Sequence, residues 1–475
     1  MSSLRDRLRR QLGDPASLKK PEPVPEEPAA PDPRSVTARL HRMLERGGTG
    51  RQAILRAGRR REALSAADGG ATLGTPRFEP PRGPRRTDPA RPPTSPPEVP
   101  RELRGDAGGA WFFGQARFGP GHLHGRVPLD RVLAVDGHGA LLLSGDAALT
   151  EFDPCKAVFF DLETTGLMGG GGNLAFIVGV ATVDPDGAVD LMQFTLREPA
   201  DEPALLEAVR PLIEDAEVLV SFNGKSFDRH VLADRFVMNR MDPDPVLETP
   251  HLDLIHPARR LYKASRRGCG LGQLEERCLG VFREDDLPGS EAPAAWFAWL
   301  RTGDRKAVER VLDHNALDLL SLVALCAHLD RCVRAPGAAL PEPSALAAAG
   351  RLLIERGAEE RGEQVLQLLA RGDALDPVVY GSLHVLADHY RRQGRHDEAL
   401  PLWRRMRQAA GTADLRPWVA EAIALEHRLA KTDEALTLVD ELLSKLDLLG
   451  SAAIVGDEEL EALRHRRQRL ARKAG

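Results

Sequence analysis

The sequence lacks the features that mark secreted, disulfide-rich and membrane-spanning proteins. Its five cysteines are odd in number, scattered, and include no Cys-x-x-Cys pair, which argues against a disulfide framework. It has no apolar run of about 18 residues, the length that a membrane-spanning helix needs. The charged N-terminus also lacks the apolar core of a secretion signal. We therefore expect a reduced, cytoplasmic protein without membrane contact.

The composition is that of a soluble globular protein with an unusual N-terminal segment. Hydrophobic residues make up 42% of the 475 positions and charged residues 28%, which suits two or three domains with sizeable cores. Residues 1–100 contain 20 basic and 12 acidic residues, leaving 45 and 58 for the rest. They also hold 17 of the 36 prolines, which interrupt helices and sheets. We predict that residues 1–105 are disordered, either as a solvated tail or as a basic arm that helps to hold a polyanion.

The middle of the chain is predicted to form a small β-structure followed by an α/β domain. Within residues 106–150, Gly-rich turns separate short apolar runs at 131–135 and 139–143, which predicts a β-meander. Within residues 151–333, strand patterns that end near residue 162 and lie at about 175–183 and 188–196 precede alternating helix and strand patterns. A hairpin turn is predicted at Asp184–Gly187, a helix at about 202–214 and a long helix at about 305–332. This order is typical of a mixed sheet flanked by helices. The predicted fold class is therefore α/β.

The C-terminal region, residues 344–475, is predicted to be entirely helical. A Pro-rich stretch at 333–343 indicates a linker before it. The sequence Asp-Glu-Ala-Leu begins at residue 397 and again at residue 433, a spacing of 36. Helix pairs repeated about every 34 residues are typical of tetratricopeptide repeats. We predict tetratricopeptide-like repeats that bind a protein partner, with a plain helical bundle as the alternative.

Two acidic residues lie on one face of the first predicted core strand. The apolar run that ends at Leu162 indicates a buried strand, and side chains two residues apart project to the same side of a strand. Asp161 and Glu163 therefore repel each other, at a cost of several kcal/mol when they are buried without a partner. A divalent cation would relieve this repulsion, so the pair predicts a metal-dependent enzyme.

Two later segments can complete a metal site. Asp228 follows a predicted strand in the first turn of the next helix, where strand-to-helix loops place functional groups. His314 and Asp318 are four residues apart on the long final helix and therefore share one face. Carboxylates are hard oxygen donors that suit Mg²⁺ or Mn²⁺. Two such ions can activate a water and stabilise the leaving oxygen in phosphodiester cleavage.

The order of these motifs resembles the DEDD superfamily of 3′–5′ exonucleases, which have the ribonuclease H-like fold. Phe160–Gly166 is similar to the first motif of that superfamily, and Phe222–Asp228 is similar to the second. The chain also resembles bacterial YprB-type ribonuclease H-like proteins over about residues 155–330. That similarity continues through four more segments, which are His251–Leu254, Asp286–Gly289, Leu300–Asp304 and His314–Asn315.

The resemblance implies roles for the acidic residues and the histidine. Asp161, Glu163, Asp228 and Asp318 would hold two Mg²⁺ or Mn²⁺ ions, and His314 would act as general base or orient the attacking water. Superfamily members with a catalytic histidine usually place it five residues before the last aspartate, and members with a tyrosine place it four before. This chain has histidine at the tyrosine spacing, so both roles of His314 stay open.

The predicted substrate is the single-stranded 3′ end of DNA or RNA. The predicted substrate contacts are Thr164, Gly166, Asn223 and Lys225, and the strand is expected to enter beside Gly169–Gly172. We predict a metal-dependent nuclease, either exo- or endonucleolytic, with 3′–5′ exonuclease action favoured. The alternative is a non-catalytic protein that binds nucleic acid or serves as a scaffold and uses its helical repeats for protein–protein interaction.

Overall fold

The computed structural model describes residues 94–106, 109–166, 172–265, 267–284, 286–374, 376–448 and 456–474. The predictions for residues 1–93 therefore lie outside the described residues. The same holds for most of Gly169–Gly172, beside which the nucleic-acid strand is predicted to enter. Within the described residues, no helix combines the length and the hydrophobicity that crossing a membrane requires.

Seven strands form one mixed sheet in the order β1-β2-β7-β6-β5-β8-β9. The first five strands in that order pair antiparallel, and β8 and β9 continue the sheet parallel to β5. This arrangement confirms the predicted α/β fold class. The strands of this sheet are β1 (Arg101–Asp106), β2 (Gly109–Phe118), β5 (Ala157–Thr164), β6 (Ala175–Val183), β7 (Val189–Leu196), β8 (Val218–Ser221) and β9 (His251–Asp253), while β3 (Leu123–His124) and β4 (Val127–Pro128) form a separate hairpin.

The central strand β5 is covered on both faces because its residues alternate between two hydrophobic cores. Phe159 packs into one core, and Phe160 packs into the other. Burial on both faces explains why the strand reads as a continuous apolar run. The hairpin from β6 to β7 turns at Asp184–Gly187, as predicted, and Gly187 takes a φ of +87° that glycine adopts without strain. The local sequence thus determines the antiparallel half of the sheet.

Helices cover both faces of the sheet and connect its parallel strands. The long helix α8 (Lys306–Arg334) lies across the sheet and contacts β5, β6 and β7. It approaches closely because β6 has a glycine at position 179, where a Cβ would lie 2.3 Å from Asn315 Oδ1. The other helices up to residue 339 are α1 (Gly137–Ser144), α2 (Glu202–Glu214), α3 (Asp228–Met238), α4 (Asp244–Leu247), α5 (Ile255–Tyr262), α6 (Leu271–Leu274), α7 (Ala292–Thr302) and α9 (Pro336–Ala339).

The predicted β-meander at residues 106–150 is wrong in its second half. The two outer strands β1 and β2 belong to the main sheet, and residues 129–134 form a 3-10 helix. The apolar run at 139–143 lies in α1, which starts where the Asp136 side chain accepts a hydrogen bond from the Gly139 N–H at 2.9 Å. Short apolar runs of this length fit a strand or a helix equally well. Here the N-terminal cap and packing against α8 select the helix.

The C-terminal region consists of packed helices, as predicted, but no free linker precedes it. Helix α8 extends to Arg334, α9 follows directly, and Leu340 is buried. The next helix contributes Ala349 and Leu353 to the same core as β5. Successive helices then contact one another, and they are α10 (Pro343–Glu355), α11 (Glu359–Ala370), α12 (Pro377–Arg392), α13 (His396–Ala410), α14 (Arg416–His427), α15 (Thr432–Leu448) and α16 (Asp457–Ala474). The described residues from 94 to 474 belong to one compact unit.

Candidate active site

The two acidic residues of β5 project from the face of the sheet that α8 covers. Asp161 pairs with Gly179 and Glu163 with Ile177 across the β5–β6 ladder. The Asn315 amide Nδ2 on α8 donates a 2.9 Å hydrogen bond to Asp161 Oδ2. Glu163 is 7% exposed and Asp161 is half-buried, so both carboxyl groups have limited access to bulk water. The predicted alternation along the strand therefore brings them to one side, as expected.

The loop after β8 places Asp228 beside this pair. Asp228 is the first residue of α3 and is buried. The loop before it is held by Asp253 at the end of β9, whose carboxylate accepts the Asn223 N–H at 2.7 Å and the Lys225 N–H at 3.0 Å. A Cβ at Gly224 would lie 3.3 Å from Asp228 Oδ2, so this tight turn depends on glycine. Asp253 therefore braces the loop that carries Asp228.

Among the predicted substrate contacts, some residues take part in local turns and one has a partly exposed side chain. The Thr164 hydroxyl donates to the Gly166 carbonyl at 2.8 Å, which ties the end of β5 to its own loop. Asn223 has a φ of +72°, and the turn uses its backbone N–H. The Lys225 ammonium lies 3.8 Å from Asp146 Oδ2 and is 32% exposed. Of these four residues, Lys225 has the positively charged and partly exposed side chain that a phosphate contact needs.

His314 and Asp318 face the same region from α8, as their spacing predicts. His314 Nδ1 is 2.7 Å from Asp286 Oδ1, and His314 Nε2 is 3.4 Å from Asp318 Oδ2. With Nδ1 protonated, the ring donates to Asp286 and leaves the Nε2 lone pair directed at the carboxylates. Asp286 therefore orients His314.

A buried arginine, Arg283, is the main feature of the site that the motif analysis missed. Its guanidinium contacts the carboxylates of Asp318 and Glu275, and its Nη1 lies 3.1 Å from His314 Nδ1. Glu275 in turn accepts the Ser321 hydroxyl. Arg283 thus neutralises Asp318 within the protein. Within the part of the chain that the structure describes, no three acidic, histidine or cysteine residues form a preassembled metal-binding group.

The carboxylates share one electrostatic environment. Burial, followed by the charges of Asp318, Glu163 and Asp228, raises the pKa of Asp161 well above its usual range. Burial raises the pKa of Glu163 to about 8, with Asp318 and Asp228 adding to it and His314 opposing it. Two carboxyl groups that resist ionisation near neutral pH fit a site in which a cation supplies the missing positive charge.

The same effects act on the two residues at the margin of this cluster. Burial, then Asp253 and Asp318, raises the pKa of Asp228 to about 7. Burial lowers the pKa of His314, but Asp318 and Asp286 outweigh burial and the net shift is upward. The structure therefore brings Asp161, Glu163, Asp228 and Asp318 within electrostatic range of one another, and His314 within range of Glu163 and Asp318. The carboxylate oxygens of this cluster suit hard divalent cations. Two of the acids already have partners in the protein, because Asp161 accepts a hydrogen bond from Asn315 and Asp318 forms an ion pair with Arg283.

Comparisons with known proteins agree with the class that the fold and this edge of the sheet define. A family model described as RNase_H_2, of the RNase_H superfamily, matches residues 158–330. The match begins in β5 and ends in α8, so it includes Asp161 and Asp318. The sheet-containing part of the chain is therefore a ribonuclease H-like domain.

The chain belongs to the YprB family of ribonuclease H-like proteins. It is 32% identical over 317 residues to the "Uncharacterized protein YprB" of Bacillus subtilis (strain 168), covering 66% of this chain and 74% of that protein. Among solved structures, a match is found to the family B DNA polymerase from the hyperthermophilic archaeon Pyrobaculum calidifontis. That match has a TM-score of 0.31 and 17% identity, and it covers 44% of this chain and 30% of the polymerase chain.

Proposed function

We propose that this protein is a metal-dependent nuclease that hydrolyses phosphodiester bonds of DNA or RNA, acting as a 3′–5′ exonuclease. The observation that carries the proposal is the convergence of Asp161, Glu163, Asp228 and Asp318 at one edge of a ribonuclease H-like sheet. Ribonuclease H-like nucleases typically use divalent metals, and a divalent cation would hold these clustered carboxyl groups in the ionised form that binds metal. Mg²⁺ or Mn²⁺, two ions in the proposed mechanism, is the expected cofactor.

In this mechanism the side chains of the protein bind the nucleic acid, orient the attacking water and remove its proton. The four carboxylates would hold the ions, whose chemistry is to lower the pKa of a bound water and to stabilise charge on the phosphate. His314 Nε2 accepts the proton of the attacking water, while its Nδ1–H remains bonded to Asp286. The water oxygen bonds to phosphorus, the bond from phosphorus to the 3′ oxygen breaks, and that oxygen takes up a proton. Lys225 contacts a phosphate of the bound strand.

The test is cleavage of a 5′-labelled single-stranded oligonucleotide, as DNA and as RNA, with Mn²⁺. We expect a ladder that shortens from the 3′ end for the wild type and no cleavage for Asp161→Ala. A matched control is Asp397→Ala, which removes an exposed carboxylate of the helical region without touching the cluster. Equal cleavage by wild type and Asp161→Ala would overturn the proposal. Internal cuts would support a nuclease, but one that acts as an endonuclease instead of an exonuclease.

Arg283 favours a second candidate, a non-catalytic nucleic-acid-binding or scaffold protein. Because Arg283 already neutralises Asp318, that carboxylate has to leave the arginine before it can bind a cation. Calorimetric titration with Mn²⁺ separates the two candidates. Binding at micromolar to low millimolar concentration that Asp161→Asn abolishes supports the nuclease, and absence of binding supports the scaffold.

The helical region is proposed to bind a protein partner through tetratricopeptide-like repeats. Support comes from three consecutive helix pairs, which begin at residues 343, 377 and 416, close to the spacing of such repeats. A pull-down with residues 344–475 is not suitable as a test, because α10 shares a core with β5. The full chain with substitutions at exposed helical residues is the appropriate material.

A further inference from the structure

Two adjoining cavities lie beside the C-terminal half of α8, apart from the carboxylate cluster. The larger has a volume of about 600 Å³ and the smaller about 350 Å³. Both are lined by Arg126, Val127, His328 and Arg331, so they form one continuous concave surface, which we call the arginine cavity. The β3–β4 hairpin forms one wall and α8 another. None of the five predicted catalytic residues lines it.

The arginine cavity carries an excess of positive charge. Arg277 and Arg334 are paired, with Glu342 at 2.6 Å and Asp330 at 2.8 Å, and these two acids are the acidic residues that line the cavity. Three further arginines line it and are exposed. In the described residues, no carboxylate forms an ion pair with any of these three, which are Arg126, Arg131 and Arg331. Three like charges around one concavity repel one another, and an anion would relieve that repulsion.

The field of these arginines reaches the buried wall of the cavity. Burial, followed by the charges of Arg331, Arg126 and Arg277, lowers the pKa of His328 to about 4. His328 is therefore neutral at physiological pH, and its Nε2 lies 2.6 Å from the Tyr262 hydroxyl. The wall behind the arginines is thus an uncharged, hydrogen-bonded surface, and the positive potential of the cavity comes from the guanidinium groups.

We propose that the arginine cavity binds phosphate groups. A guanidinium presents a planar fork of N–H donors that matches two phosphate oxygens, which a neutral ligand would not exploit. The volume is within the range of nucleotide-sized sites. The phosphates can belong to a nucleic-acid strand or to a free nucleotide, and both sources present the same chemistry. The proposal does not depend on the nuclease function, because it concerns binding at a separate surface.

The distance from the carboxylate cluster limits how the two sites could be used together. Arg331 lies thirteen residues after Asp318 on α8, which corresponds to about 20 Å along the helix axis. One phosphate cannot touch both sites, so only a strand of several nucleotides could occupy them at the same time. A free nucleotide would bind in the arginine cavity alone. The length of the ligand therefore distinguishes the two sources.

The test compares two triple variants of the full chain in the presence of EDTA. The cavity variant is Arg126→Gln, Arg131→Gln, Arg331→Gln. The control variant is Arg371→Gln, Arg428→Gln, Arg464→Gln, which removes three exposed arginines elsewhere, likewise without an ion pair in the described residues. The probes are pyrophosphate, measured by calorimetry, and a single-stranded oligonucleotide of about twelve nucleotides, measured by fluorescence anisotropy at several salt concentrations.

We expect the cavity variant to weaken pyrophosphate binding at least about tenfold, because each guanidinium–phosphate pair is charge-assisted, while the control variant stays within about twofold. If the source is a strand, the cavity variant also lowers the slope of log affinity against log salt by about 2, since roughly 0.7 is lost per single-strand phosphate contact. An unchanged slope with lost pyrophosphate binding assigns the cavity to a free nucleotide.

Three results would overturn the proposal: no pyrophosphate binding by the wild type at millimolar concentration, equal affinity in all three proteins, or equal loss in both variants. Arg126 also donates to the Arg277 carbonyl at 3.2 Å, so its replacement can disturb the hairpin. The double variant Arg131→Gln, Arg331→Gln leaves that bond in place. With a melting temperature equal to the wild type, it should show the same loss in smaller degree.

Discussion

Buried carboxylates have opposite environments at the acidic edge of the sheet and in the helical region. In the helical region, Glu426 has a fully buried carboxylate that contacts Arg469 at 2.7 Å and Lys473 at 2.7 Å. Hydrogen bonding to Arg469 is the largest cause that lowers the pKa of Glu426 to about 2. At the sheet edge, burial and mutual repulsion instead raise the pKa of Glu163 to about 8. The same type of side chain is compensated in one region and left uncompensated in the other.

The direction of the pKa shift distinguishes acids that stabilise the fold from acids that are available to bind a ligand. A buried carboxylate with cationic partners supports the structure, and removing one partner is costly. A cluster of carboxylates with raised pKa values costs stability, and such clusters concentrate at functional sites. Away from this edge, buried acids of the sheet region also have cationic partners, as Glu202 has in Arg235. At the edge itself, Arg283 gives Asp318 and Glu275 the kind of partner that Glu426 has. Four predictions test this division.

The largest effect is expected for Glu163→Gln, which keeps the size of the side chain and removes its charge. Because Glu163 is a proposed metal ligand, we expect nuclease activity to fall about a thousandfold, or roughly 4 kcal/mol in the activation barrier. The metal-free protein should unfold at a higher temperature than the wild type at pH 8. In the helical region Glu421 pairs with Arg404 and Arg407. Glu421→Gln should therefore leave nuclease activity unchanged and lower the unfolding temperature.

The next effect concerns Arg283→Met. This change leaves the buried Glu275 and the largely buried Asp318 without their cation, so we expect unfolding by denaturant to require about 3 kcal/mol less free energy. The comparison variant is Arg210→Met, which removes exposed ion pairs to Glu207 and Glu214 and should leave the stability nearly unchanged. Equal stability of the two variants would mean that Arg283 is not a structural partner of these acids.

A smaller loss of stability is expected for Glu426→Gln. Its partners Arg469 and Lys473 are 35% and 45% exposed, so water can solvate them after the change, and we expect a loss of roughly 2 kcal/mol. Nuclease activity at a temperature where the variant is folded should be unchanged. Glu398→Gln is the control, since the Glu398 side chain is 53% exposed in its pair with Arg395 and its replacement should leave the stability nearly unchanged. A loss of activity in folded Glu426→Gln would contradict the division.

The smallest effect is a dependence of stability on pH and metal. Because the folded-state pKa values of Glu163 and Asp228 are raised to about 8 and about 7, these groups retain protons that the unfolded chain releases near pH 4. Their favourable contribution is complete below that pH and is lost as the pH rises to about 8. Mn²⁺ should therefore raise the melting temperature about 2 °C more at pH 8 than at pH 5.5. Asp161→Asn should remove the difference.

Local patterns were sufficient to predict most elements of the sheet region. The strand at 175–183 and the helix at 202–214 have the predicted bounds, since hydrophobic periodicity and turn residues specify them. The run at 139–143 was assigned to a strand and is a helix, because its conformation depends on a cap at Asp136 and on packing against α8. Tertiary context of this kind is absent from a window of five residues.

The site was predictable to the extent that its residues lie in ordered motifs. The acids of β5 and the pair on α8 followed from strand and helix spacing, and the structure places them together, although their catalytic roles stay predictions. Asn315 follows His314 directly, and its contact with Asp161 depends on the approach permitted by Gly179. Arg283 lies between motifs, 35 residues before Asp318. Nothing in the local sequence specifies such a long-range pair.

The continuity of α8 has a mechanical consequence. One 29-residue helix carries His314 and Asp318 near its start and leads at its end, through α9, into the helical region. The span from Asp318 to Arg334 is about 24 Å at the rise of an α-helix, and the shared core of α10 and β5 prevents the junction from acting as a hinge. The first helix of the helical region is therefore fixed to the sheet, and a ligand bound to that helix would lie at a set distance from the acidic edge.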